Sequence, residues 1–337
     1  MKTIMSNVEQ ERREYFKKLY TEDPAKHWVR VHGWLYMAQR RLQTIRSETR
    51  RKSDFAKYFT FPGEYAVDVL LLAENGILQE TKVGFPGVAY CERRPEIVSV
   101  ITKKLGRCMG VFAGSFEETV FRSGFQAYSP FDIINLDLTK EIFPLDGRPE
   151  SNTIRAIERL LWLHKNRGFD LYVTFKSSLS ETNPNAVEEF KEMIKDNFTN
   201  NETLKNAFVK NCGVDVEELL KRDFSLFWCK SFPKWILETG LTNNTVGSLE
   251  GECIYLRKPR YGKPYHIITF LFSFKRKSHG LMSKHKMVTQ TQKEILKSFT
   301  TPPVDVDEYL SKKGEEKERL RQDAMRISKK PPKIALP

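Results

Sequence analysis

The stretch that most constrains the fold is Phe131-Asp-Ile-Ile-Asn-Leu-Asp-Leu-Thr139, a short apolar run that ends abruptly in polar residues. Such a run predicts a strand buried within a sheet, its C-terminal end delivering Asn135 and Asp137 to the edge where open α/β folds bind ligands. Similar runs recur around it at Tyr58-Phe-Thr-Phe61, Gly87-Val-Ala-Tyr-Cys91, Cys108 to Ala113 and Phe169-Asp-Leu-Tyr-Val-Thr-Phe175. Helical spacing fills most of the gaps: Glu64 to Asn75 closed by Gly76, Ile97 to Leu105 stopped by Gly106, and Asn152 to Asn166. Five short strands alternating with helices predict parallel β-α repeats.

Beyond Phe175 the pattern changes. Glu188 to Phe198, Asn201 to Asn211, Val214 to Arg222 and Phe224 to Leu237 read as four helices, an insertion or lid over residues 183–240. Glu252 to Arg257 and Tyr265 to Phe274 flank the turn-forming Pro259-Arg-Tyr-Gly-Lys-Pro264 and predict a β-hairpin. The expected division is a basic helical N-terminal arm over 1–57, an α/β domain over 58–277 with the insertion inside it, and a basic, partly disordered C-terminal tail over 278–337. The tail is expected from its loss of hydrophobicity and from Lys329-Lys-Pro-Pro-Lys333.

A formal charge of +13 raises the local concentration of polyanions, and nucleic acid is the partner this suits best; an evenly spread surplus would serve solubility instead. Two basic clusters stand out. The arm reads as two helices, Val8 to Tyr20 and Trp28 to about Arg50, and Arg40, Arg41, Arg46, Arg50, Arg51 and Lys52 crowd the end of the second. Lys275, Arg276 and Lys277 follow the hairpin, with His279, Lys284, His285 and Lys286 beyond. Adjoining in space, they would form one phosphate-binding face; separately, each reads equally well as a solvated helix face or loop.

The remaining composition excludes several chemistries. Cys91, Cys108, Cys212, Cys229 and Cys253 lie far apart and predict reduced, mostly buried thiols, and neither they nor the six histidines show metal-ligand spacing. No G-x-S-x-G elbow, no phosphate-binding G-x-x-x-x-G-K-[ST] and no cysteine nucleophile with an evident base occurs. The N-terminus is charged and no apolar run approaches the roughly 18 residues of a membrane span, so a soluble cytoplasmic protein without a membrane partner is expected.

Five β-α units followed by a hairpin resemble the class I AdoMet-dependent methyltransferases, over about Tyr58 to Phe274. The resemblance implies an α/β fold with a doubly wound, mostly parallel seven-stranded sheet ending in an antiparallel β-hairpin, and S-adenosyl-L-methionine as cofactor. Carried over residue by residue, Pro62, Gly63 and Glu64 form the first turn around the methionine part, Glu92 ends the second strand as the ribose ligand, and Ser115 with Phe116 meet the adenine. Asp137 and Asn135, on what looks like the fourth strand, become the catalytic pair, with Asp137 accepting a hydrogen bond from an amine nucleophile or orienting the cofactor. Bland roles remain open for each: a helix-capping or surface carboxylate for Glu92, core packing for Phe116, an N-cap or structural carboxylate for Asp137.

Two places depart from that family's pattern. Phe61-Pro-Gly-Glu64 stands where a Gly-x-Gly turn would be, and Leu138-Thr-Lys140 where nucleic-acid methyltransferases carry a Pro-Pro-aromatic loop that grips a flipped base. Two functions therefore follow: an AdoMet-dependent methyltransferase acting on a nucleic acid, or a catalytically degenerate protein of the same fold serving as a nucleic-acid-binding or scaffold subunit, with helices 183–240 meeting a protein partner. A third, weaker option is a nucleotide or dinucleotide in the same crevice for other chemistry.

Overall fold

All five expected parallel strands are present in the computed structural model, which describes residues 23–49, 54–138, 140–145, 152–165, 167–258, 263–275 and 283–330. They are β1 (Tyr58–Thr60), β2 (Gly84–Glu92), β3 (Arg107–Ala113), β4 (Ile133–Asp137) and β5 (Phe169–Ser177), joined by the hairpin strands β6 (Val246–Arg257) and β7 (Tyr265–Lys275). One sheet holds them in the order β3-β2-β1-β4-β5-β7-β6. Only β7 runs against its neighbours β5 and β6. An eighth strand, β8 (Val304–Asp305), extends the expected seven by pairing parallel with β6 at Cys253 and Ile254.

Both faces of the sheet are covered because its residues are apolar on both. Tyr58, Ile133 and Tyr172 point into one core; Phe59, Ile134, Leu171 and Val173 point into the other. The helices α2 (Val67–Glu74) and α3 (Pro95–Leu105) connect β1, β2 and β3 across the first face. The short helices α4 (Phe116–Thr119) and α5 (Ser123–Tyr128), and then α6 (Asn152–Leu163), cover the second. The winding direction therefore reverses between β1 and β4, which makes the C-terminal ends of those strands the switch point of a doubly wound fold.

The start of β4 is fixed by a buried histidine. The Phe131 amide donates to His164 Nε2 at 2.9 Å while Nδ1 lies 2.7 Å from the Leu160 carbonyl, so the proton sits on Nδ1. Burial pushes the His164 pKa down to about 4, and the neutral ring serves both bonds.

The insertion is four helices: α7 (Pro184–Asn200), α8 (Glu202–Cys212), α9 (Val216–Arg222) and α10 (Phe224–Thr242). Its aromatic residues close the second core, with Phe232 5.1 Å from Phe175 and 5.0 Å from Phe270 between ring centres. Close approach of α10 to the sheet needs Gly240, where a Cβ would stand 2.6 Å from the Phe274 ring.

The segments flanking the α/β domain are packed parts of it. Residues 24–49 form one helical run, α1, made of α-helical Pro24–Trp28, π-helical Val29–Leu35 and α-helical Tyr36–Thr49. It buries Val29, Trp34, Met37, Ala38, Leu42 and Ile45, and Trp34 stacks on Tyr172 at 6.4 Å. The helix expected from Val8 to Tyr20 lies outside the described residues.

Within the expected basic tail, residues 283–330 form three helices, α11 (Lys284–Thr300), α12 (Val306–Ser311) and α13 (Gly314–Ser328), and residues 331–337 lie outside the described residues. The charged α13 still carries a buried stripe, Leu320, Ala324 and Ile327, at helical spacing. It is fastened to α1 by His27 and Asp323 at 3.0 Å, and to α2 by Arg326, which meets both Glu74 oxygens at 2.9 Å. No described helix is long and apolar enough to cross a membrane.

Candidate functional site

Register brings several of the sequence-selected residues to one height. Thr60 on β1 pairs with Tyr90 on β2 and with Asn135 on β4. Two residues further along each strand stand Pro62, Glu92 and Asp137, all on the C-terminal edge around the switch point. Glu92 also pairs with Ala113 on β3, so the following turn, Gly114 and Ser115, joins the same edge.

The first turn is built on a left-handed backbone. Gly63 has φ +59° with nothing within 4 Å of where a Cβ would be, and its carbonyl accepts from the Ala66 amide at 3.2 Å. Ala66, at the N-cap of α2, also has positive φ (48°), a costly conformation for a residue with a Cβ. Pro62 is buried, whereas Gly63 and Glu64 are exposed. The Glu92 side chain is mostly buried; its Oε1 accepts from the Arg94 amide at 2.9 Å and from Arg94 Nε at 3.3 Å. The Glu92 carbonyl accepts from the Gly114 amide at 3.1 Å, which ties the second strand end to the third turn.

Three selected residues behave differently from expectation. Asn135 is 1 % exposed and lies beneath the crevice: its Nδ2 donates to the Tyr58 hydroxyl at 3.1 Å and Asp68 Oδ2 at 3.4 Å. The same Asp68 oxygen accepts from Tyr58 and Thr60 at 2.8 and 2.6 Å, so Asn135 belongs to a buried polar cluster that seats α2 on the sheet. Phe116 is in the core, its ring 5.3 Å from Phe61, and leaves no open face for a purine. Ser115 caps α4, its hydroxyl accepting from the Glu118 amide at 3.2 Å.

Asp137 is gripped by a residue the sequence reading did not single out. Lys26 of α1 places Nζ 2.5 Å from Asp137 Oδ2, with the two side chains 6 % and 16 % exposed. Burial lowers the Lys26 pKa against the attraction of Asp137, with Arg30 and Arg257 nearby lowering it further. The residue lies 111 positions from Asp137 in a helix of mixed composition, and no local signal marks it.

A cleft of about 810 Å³ opens on the same edge between the ends of β2, β3 and β4, lined by Arg93, Ser115, Glu117, Lys140, Thr153 and Arg155 among others. Glu117 accepts from the Thr153 hydroxyl at 2.7 Å and from Lys140 at 3.2 Å. Burial pushes its carboxyl up, but these hydrogen bonds outweigh burial and hold it below the usual range. Thr139 and 146–151, which belong to the connection after β4, lie outside the described residues. Among the described residues no group of histidine, cysteine and carboxylates could hold a metal ion.

The described basic residues of the two clusters sit on the opposite edge. Phe169, the first residue of β5, pairs with Phe274, so Lys275 lies at the N-terminal edge, roughly 20 Å along the strands from Asp137. Arg40, Arg41 and Lys275 do line one groove there, of about 590 Å³. Yet Arg40 is engaged by Glu250 at 3.0 Å, Arg41 is buried against the Gly168 carbonyl, and Arg46 Nε donates to the Asp54 carbonyl at 3.2 Å. Arg50, Arg51, Lys52, Arg276 and Lys277 lie outside the described residues.

Comparison with known proteins gives three findings. A search of curated proteins found no match. The crystal structure of M. jannaschii TYW2 in complex with AdoMet aligns with 10 % identity and a TM-score of 0.31, covering 70 % of this chain and 77 % of that one. A family model described as PP_RS20740-like matches residues 122–330, which take in β4 to β8, the whole insertion and α11 to α13. That span is more than half of the chain and includes the strand that ends at Asp137, and the protein therefore belongs to the PP_RS20740-like family.

Proposed function

We propose that the protein is an AdoMet-dependent methyltransferase that acts on a nucleic acid. The observation that carries this reading is the convergence of Gly63, Glu92, Ser115 and Asp137 on the C-terminal edge at the switch point, beside an 810 Å³ cleft. The residues fit the cofactor best at its nucleoside end. Glu92 offers a carboxylate for the ribose hydroxyls, and the cleft bordered by Ser115 has room for adenine. At the other end the open backbone at Gly63 admits close approach of the methionine part. Bound AdoMet supplies an electrophilic methyl group; the chain's own residues position the two substrates, and Asp137 orients the acceptor amine. The +13 charge supports a polyanionic substrate.

Thermal melting with AdoMet tests the reading. At about a hundred times its dissociation constant the ligand adds roughly 2.7 kcal/mol, so melting rises, and Glu92→Ala removes the rise while leaving the ligand-free transition in place. An unshifted transition at millimolar AdoMet refutes it.

The contact of Lys26 with Asp137 favours a second reading, in which the same fold binds nucleic acid or a protein partner without turnover. A cation on Asp137 repels a sulfonium and occupies the acceptor side. Under that reading the protein binds polynucleotide with a steep salt dependence and incorporates no methyl from labelled cofactor.

A further inference from the structure

The helix α6 presents an exposed aromatic and basic face that begins at the proposed cofactor cleft. Arg155, Arg159 and Trp162 recur at i, i+4 and i+7, on one side of the helix. Trp162 is 42 % exposed, with the Arg159 guanidinium 4.1 Å and the Lys165 ammonium 4.3 Å from its ring centre. Phe121, 49 % exposed, stands across from it. A second cleft of about 510 Å³ runs between these side chains and the end of α10, and it shares Phe121 and Arg155 with the cleft at the strand ends. The two clefts thus adjoin at Phe121 and Arg155, and together they follow α6 from Arg155 to Trp162, about 10 Å at 1.5 Å per residue.

We infer that this track binds single-stranded nucleic acid and leads it to the C-terminal edge, with bases stacked on Trp162 and Phe121 and phosphates on Arg159 and Lys165. The inference deepens the proposed function, on which its role as the substrate path rests.

Charge favours this occupant over a protein. Four carboxylates line the track, Glu158 among them, and three already hold a cation: Glu117 with Lys140 at 3.2 Å, Glu118 with Arg122 at 3.7 Å, and Glu238 with Lys234 at 2.6 Å. Arg93, Arg159 and Lys165 form no ion pair among the described residues. Exposed rings flanked by such cations suit a strand whose bases and phosphates alternate, since every base offers a π face and either cation can turn to a phosphate as a base takes its place. A duplex hides those faces.

Fluorescence anisotropy of a labelled oligothymidylate, set against a duplex of equal length at the same salt, tests the track. The protein binds the single strand more tightly; Trp162→Ala and Phe121→Ala each weaken it about tenfold, and Trp162→Phe, which keeps a stacking ring, restores most of the affinity. Lys165→Glu lowers the salt slope by about one. Both aromatic side chains are exposed, and unchanged circular dichroism of the variants confirms that they fold. Equal affinity for the duplex, or unchanged affinity in the Trp162→Ala/Phe121→Ala double variant, overturns the inference. So does a protein partner lost with Trp162→Ala while oligonucleotide binding is untouched. AdoMet melting read on the same samples separates the two proposals. A missing shift with a tenfold Trp162 effect sinks the cofactor reading and leaves the track, and a normal shift without a Trp162 effect does the reverse.

Discussion

Replacing Lys26 by methionine tests whether Asp137 is sealed or open. Methionine keeps most of the aliphatic stem and removes the cation that lies 2.5 Å from Asp137 Oδ2. With only 6 % and 16 % of the two side chains exposed, water replaces the lost partner poorly, and removing one member of such a pair costs about 3–5 kcal/mol. Replacing both, in Lys26→Met/Asp137→Leu, removes both members of the pair and returns stability to within about 1–2 kcal/mol of the wild type. Urea denaturation with a constant m-value gives the four stabilities of the cycle, and the two single costs together should exceed that of the double variant by at least about 4 kcal/mol. The pH profile adds a signature. Burial holds the Lys26 pKa below its ordinary 10.5, so between the two values the unfolded chain binds the extra proton and stability climbs as pH rises through that window. Lys26→Met lacks that limb. A single-variant cost under about 1 kcal/mol refutes the reasoning, because it means that solvent already reaches Asp137.

Four further outcomes follow from buried groups and backbone geometry. Glu252, whose pKa burial raises to about 8 from 4.5, stabilises the fold below 4.5 and loses that contribution as pH rises through 8; Glu252→Gln should gain about 5 kcal/mol on the wild type over this full limb in denaturant titrations. His164 works in the opposite sense: its pKa of about 4 means that stability present above 6.5 falls by about 3 kcal/mol on acidification to 4, a slope that His164→Gln lacks. Gly240→Ala, which sets a methyl 2.6 Å from the Phe274 ring, should cost about 1–3 kcal/mol in thermal melting. Gly63→Ala, with open space but φ +59°, should cost only about 1–2.

The sheet was readable because β1 to β5 are short, apolar on both faces and bounded by polar turns, which admits little besides buried parallel strands. The insertion was readable from helical spacing, and α7 to α10 fall within a few residues of the expected helices. The packing of α13 was not, because three buried side chains in fifteen residues make a stripe too narrow to stand out from its charge. The site divides along similar lines. Period two puts Asn135 and Asp137 on one face of β4, but how deep each lies depends on α2 and α1, which arrive from elsewhere in the chain. Glu92 and Gly63 could be placed from strand ends alone. Lys26 and the Trp162 track could not, since the first is a long-range pairing and the second depends on which helix face the insertion leaves uncovered.

The fastening of α13 to α1 and α2 has a consequence for access. Lys26 and His27 are adjacent in α1; one holds Asp137 and the other holds Asp323. Fraying of α13 therefore loosens the helix turn that covers the β4 tip, and the population in which the tip is uncovered is set by the local opening free energy of a helix on the protein's outer surface. Any macromolecule that grips α13 would adjust that population from a distance, acting as a rheostat on the crevice while touching none of the residues that line it.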